Sequence, residues 1–67
     1  MDIFTATMIA EGCPEAAGVD PQDITEETAI EAWQKLIDTG LAWRLQGWFG
    51  RQAAAMIESG LCERRAA

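Results

Sequence analysis

An all-α fold is predicted: a small bundle of two main helices at about 24–39 and 46–59, with a short N-terminal helix at about 3–11. Three observations point to it. Ile30, Trp33, Leu36 and Ile37 recur at three and four residues, the spacing that lines one side of a helix with apolar groups. Leu36-Ile37-Asp38-Thr39-Gly40-Leu41-Ala42 and Met56-Ile57-Glu58-Ser59-Gly60-Leu61-Cys62 follow one chemical pattern at an offset of twenty, each placing glycine where a helix closes. The one alternating apolar run has no second run nearby to pair with as a strand.

The first segment, Ile3 to Glu11, is stopped by Gly12-Cys13-Pro14, because proline lacks the donor and disfavours helical geometry in the residue before it. Phe4, Ala6, Met8 and Ala10 alternate as a strand would, while Phe4 and Met8 also stand one helical turn apart. A helix is preferred, since a lone strand leaves its backbone groups unpaired. Residues 12–23 form a connector with at most single helical turns, punctuated by Pro14, Gly18 and the turn or cap signal Asp20-Pro21.

The second helix begins somewhere in 23–26. Asp23-Ile24-Thr25-Glu26 matches a capping box with Asp23 as N-cap, and Thr25 followed by two glutamates is an equal alternative. Glu31 and Lys35 stand at i,i+4 on its wet side. Gly40 and Gly60 are expected in left-handed C′ positions, with Leu41 and Leu61 folding back on the last turn. Both an old duplication and the capping constraint by itself account for the repeat. A helix running unbroken from Leu41 would hold Gly47 and Gly50 inside it at about 1 kcal/mol each, so the last helix is expected to start near Gln46 or Gly47. Phe49, Ala53, Met56 and Ile57 then form its core stripe, and Gly47, Gly50 and Ala54 form a smooth one where another backbone can come close.

Size and composition restrict the functions open to such a chain. Its 67 residues make one small domain, 1–67. With no His, no Tyr, one Ser and two Cys, neither a tetrahedral zinc site nor a Ser/His/Asp triad can be assembled, so no enzyme activity, metal or cofactor is expected. Cys13 and Cys62 read as plain small residues near helix ends, and Asp38 and Glu58, at matching places in the two caps, as structural. The start Met1-Asp2-Ile3-Phe4 has no basic run of the secretion type and no apolar run reaches membrane-spanning length, so a cytoplasmic protein with reduced thiols and no membrane partner is expected. A core this small rarely supplies more than about 3–5 kcal/mol, which favours a homo-oligomer, a dimer first. Charge is uneven as well as net acidic at -6: residues 1–31 hold eight acids and no base, whereas 32–67 hold three acids and all five bases. The acids read as a solvated connector and helix starts, or alternatively as a mimic that blocks a nucleic-acid-binding protein.

Residues 36–51, read as L-I-D-T-G-L-A-W-R-L-Q-G-W-F-G-R, and the closing I-E-S-G-L-C at 57–62 resemble a family of very short proteins encoded by bacteriophages and bacterial genomes. Its members share the pattern L-I-D-[ST]-G-L-A-W-x-L-Q-G-x-[FY]-G-R-x-A followed by a second L-I-E-x-G. This chain differs in its longer Pro14–Ile24 connector and in carrying Trp48. The resemblance implies a phage or prophage origin, a compact helical fold and no established activity.

Among the three tryptophans, Trp33 belongs to the core stripe, Trp43 is expected to fold over the connection, and Trp48 reads either as core or as surface. Trp48 stands between Arg44 and Arg51 at helical distances, and Trp with Arg is the pairing enriched at binding hot spots. The expected role is that of a small non-enzymatic phage-type accessory protein, a modulator or inhibitor of a host or phage protein, acting through Arg44, Trp48 and Arg51 or the Gly47, Gly50 and Ala54 stripe. The competing class is a nucleic-acid-binding module in which Arg44, Arg51, Arg64 and Arg65 with Trp48 hold single-stranded bases by stacking, disfavoured by the net charge.

Overall fold

A computed structural model describes residues 1–64. It is all-helical: α1 spans Ile3–Glu11, α2 Glu26–Asp38 and α3 Gly47–Glu58, joined by short 3₁₀ turns at Pro14–Ala17, Pro21–Asp23 and Leu41–Trp43. Of the two candidate N-caps for α2, Thr25 is the one used. Its hydroxyl accepts from the Thr28 N–H at 3.1 Å, with Glu26 and Glu27 in the first turn where the helix dipole favours negative charge. Asp23 instead closes the preceding 3₁₀ turn, which Asp20 caps by accepting from the Gln22 N–H.

The closing glycines sit as expected, Gly40 at φ 78° and Gly60 at φ 86°, yet the two caps are wired differently. At the end of α3 the Gly60 N–H reaches the Ile57 carbonyl at 3.1 Å and the Leu61 N–H the Met56 carbonyl at 3.0 Å, a complete Schellman pair. At the end of α2 only the first of these bonds has a counterpart, from the Gly40 N–H to the Ile37 carbonyl, while the Thr39 hydroxyl donates to the Lys35 and Leu36 carbonyls. The leucines diverge too. Leu41 packs against the core, whereas Leu61 is 47% exposed and Cys62 takes the buried place beside it. The expected fold-back of Leu61 is therefore replaced by its neighbour, because the chain after Gly60 turns toward α2 and brings the small thiol inward.

One core joins all three helices. Ala32, Trp33, Leu36 and Ile37 come from α2, Phe49, Ala53 and Met56 from α3, and Ala6 and Ile9 from α1, with Ala42 and Cys62 filling the edges. Of the expected stripes, Ile30 and Ile57 lie only at its margin. On α1 the buried face differs from either sequence pattern: Ala6 and Ile9 point inward and Phe4 is 56% exposed. Two small or medium side chains let α1 lie close against α2, where a phenylalanine would hold it off. The expected Glu31–Lys35 pair is absent among the described residues; a Glu31 oxygen lies 3.8 Å from the Met1 amino group. Exposed pairs of this kind are worth a few tenths of a kcal/mol, so a competing cation easily redirects one.

Two outcomes follow from the caps. Gly60→Val should cost more than about 1 kcal/mol in a denaturant melt, from left-handed backbone strain alone, since open space surrounds the place a Cβ would occupy. The Asp2 carboxylate caps α1 by accepting from the Thr5 N–H at 2.7 Å, and this bond holds its pKa below the ordinary value. A depressed carboxyl stabilises the fold above its unfolded pKa and loses that effect as pH falls through the folded one. Asp2→Ala should thus lower the melting temperature at neutral pH, with the gap to wild type closing in acid; an equal gap at both ends of the titration would exclude the cap.

Candidate functional site

The residues singled out in the sequence gather around the first half of α3 and the turn before it. Gln46 enters this helix in an extended conformation without a side-chain cap. That leaves the first turn to Gly47, Trp48 and Phe49. Gly47 is exposed, and the Nη1 atom of Arg51 lies 3.2 Å from where its Cβ would stand. The arginine thus folds back along its own helix by one turn, over a position that any larger residue would crowd.

Gly50 is occupied differently. The place of its Cβ is 3.6 Å from Cε3 of Trp43 and 3.8 Å from the Ala42 carbonyl. At Gly50 the smooth stripe is covered by the chain's own Leu41–Trp43 turn. Trp43 folds over the connection in doing so, leaving 45% of its surface exposed. Ala54 remains open to solvent.

Trp48 is neither a core residue nor a free surface ring. Its indole stacks on Phe49 with centroids 4.0 Å apart and an interplanar angle of 30°, and it meets Trp33 edge-on at 6.2 Å. Phe49 is buried and Trp33 nearly so, while 38% of Trp48 stays in contact with solvent. At 100° per residue, Trp48 and Gly50 fall about 160° apart around α3, so Trp48 and Trp43 flank its buried face from opposite sides. Arg51 neighbours Trp48 at i,i+3, and Arg44 is exposed on the turn. Among the described residues no carboxylate lies within ion-pair distance of either arginine. The combination is a rigidly backed, partly exposed aromatic edge with Arg51 one turn along the same helix.

A second feature was not legible in the sequence. An open groove of about 440 Å³ runs along α2 from Met1 to Asp38, past Glu27, Glu31, Gln34 and Lys35. Gln34 there makes hydrogen bonds to the backbone of Glu63, twenty-nine residues on. Local spacing carries no signal for such a partner. Burial, together with the charge of Asp38, pushes the Cys62 thiol above its ordinary pKa, keeping it protonated, while Cys13 is exposed. Among the described residues no three His, Cys, Asp or Glu side chains are grouped to hold a metal, and no helix is long and apolar enough to cross a membrane.

Residues 15–67 match a protein family described as Domain of unknown function (DUF7417). No curated protein and no solved structure matches the chain.

The geometry of Trp48 sets its expected response. Trp48→Ala should keep the helical circular-dichroism signal at low temperature and destabilise by about 1–3 kcal/mol, since part of the ring is already in water and the rest leaves two aromatic contacts. Phe49→Ala should cost about 3–5 kcal/mol and leave the chain largely unfolded. Equal losses from the two would make Trp48 a core residue.

Proposed function

We propose that the chain, which belongs to the DUF7417 family, is a small accessory protein without catalysis of its own that acts by protein–protein contact. One observation carries this reading. Trp48 keeps an exposed edge on a rigid base of Phe49 and Trp33, beside Arg51, in the arrangement that gives a contact residue area without loss of side-chain freedom on binding. Phe4, Trp43 and Leu61 add further exposed apolar surface, a large amount for so small a chain, and favour a dimer or a stable partner.

The resemblance of residues 36–51 and 57–62 to very short phage and bacterial proteins supports a phage-type origin, a place of action in the host cytoplasm and a host or phage protein as target. The role of modulator or inhibitor fits a chain that offers a surface for contact. A second reading has its own support: all eight acids of residues 1–31 are exposed, and only Glu31 has a cation within ion-pair distance among the described residues. That half can imitate the charge of a nucleic acid toward a basic protein.

Binding experiments separate these readings. Wild type, Arg51→Ala and a variant with Glu26 and Glu27 changed to Gln are immobilised and challenged with host lysate, and the same proteins are titrated with single-stranded DNA and RNA at low and high salt. A captured protein lost with Arg51→Ala, and a dimer in sedimentation at micromolar concentration, are the expected results. Loss with the glutamine variant instead favours charge mimicry. Tight nucleic-acid binding that falls steeply with salt would overturn both.

A further inference from the structure

The least explained contacts lie outside the α3 surface, where the chain ends. After the Gly60 turn the backbone runs back to α2, and the Glu63 N–H donates to Oε1 of Gln34 at 2.8 Å while Nε2 of Gln34 donates to the Glu63 carbonyl at 2.9 Å. A single side-chain amide thus pairs with one residue's backbone in both directions, as an adjacent strand would. The same Nε2 donates to Oδ1 of Asp38 at 2.8 Å, one helical turn along, which holds the amide plane in place. One residue earlier Cys62 is 3% exposed, and its thiol donates to the Ile30 carbonyl at 3.7 Å.

These contacts hold an otherwise exposed segment. Leu61, Glu63 and Arg64 all face solvent, and among the described residues the stretch is anchored by the Cys62 side chain, the Gln34 amide and the Leu61 and Cys62 N–H bonds to the Met56 carbonyl, both 3.0 Å. Its backbone bonds to Gln34 lie at the surface, the setting in which local opening has the lowest free energy. The helices, in contrast, share a core that joins α1, α2 and α3. The thiol adds little holding force, because sulfur is a weak donor and Cys62 contributes only a small apolar group.

We propose that Leu61–Arg64 is a strap that opens about the Gly60 turn while the three helices stay folded, with the Gln34 amide as its latch. Opening breaks both Gln34 bonds and the Cys62 N–H bond to the Met56 carbonyl, withdraws the Cys62 side chain from the core and exposes the Ile30 carbonyl and the Gln34 amide on α2. The surface of α2 therefore has a closed and an open form. This is independent of the contact role of α3, and it holds whether or not that role is correct.

Thiol reactivity reads the opening directly. An aromatic disulfide reagent is attacked by a cysteine thiolate, which forms a mixed disulfide and expels a coloured thiolate, the thiol proton passing to buffer. Wild type should show a fast phase from exposed Cys13 and a slow one from Cys62. Gln34→Ala should speed the slow phase about tenfold, in line with the loss of the latch bonds, with little change in melting temperature. Gln34→Glu, which sets a carboxylate against Asp38 and the Glu63 carbonyl, should speed it at least as much. Ala6→Gly, which weakens α1 packing and leaves the latch intact, should lower the melting temperature without speeding the slow phase. A slow phase that follows global stability in both Gln34→Ala and Ala6→Gly would overturn the strap, because Cys62 would then react only from the unfolded chain. An unchanged slow phase in Gln34→Ala, the absence of any slow phase, or loss of all helical signal in that variant would overturn it equally.

Discussion

The contact between Trp33 and Phe49 is the constraint on which the rest of this structure depends. The rings lie 5.7 Å apart and tilted at 46°, bridging α2 and α3 with side chains rather than with closely apposed backbones. In a chain this short, two large aromatic residues supply an unusual share of the apolar area that folding removes from water. Their position also decides the fate of Trp48. Adjacent to Phe49 on the same helix, its indole is drawn onto the pair and then has no room to enter fully. The partial exposure of Trp48 is thus a consequence of how the core is built.

The Leu41–Trp43 turn is the second support. It touches both α2 and α3, buries Ala42 and lays Trp43 against Gly50. Gly40, in the left-handed conformation, allows the chain to leave α2 sharply enough to make the turn. A residue with a side chain at position 50 would meet the Trp43 ring and the Ala42 carbonyl at ordinary contact distance, so the helix and the turn are matched with little space to spare.

Charge is arranged around this frame rather than within it. The described acidic and basic side chains lie at the surface or part-way in, and the exposed acids of the first half lie on α1, the connector and the start of α2. Arg44 and Arg51 are exposed in the second half, on the turn before α3 and on α3 itself. An approaching partner of mixed charge would be oriented by that separation before any contact forms, an effect that salt weakens. The groove along α2 adds polar surface lined by Glu27, Glu31, Gln34, Lys35 and Asp38.

Periodicity and punctuation alone determined the three helices, their limits to within two residues, and the left-handed glycines that end α2 and α3. Each depends on neighbours within one or two turns, which is why spacing reveals it. The choice of Thr25 over Asp23 was open because both offer an oxygen at a suitable distance from a free N–H; the 3₁₀ turn at Pro21–Asp23 decided between them. Only the tertiary structure decided which face of α1 is buried, because Phe4, Ala6, Met8 and Ile9 are all apolar and the choice rests on what fits against α2. It decided as well that Trp48 is held halfway, that Gly50 seats the chain's own turn, and that Gln34 latches Glu63. Those outcomes depend on contacts between segments far apart in the chain, where volume and geometry select among side chains that hydrophobicity and spacing treat as equivalent.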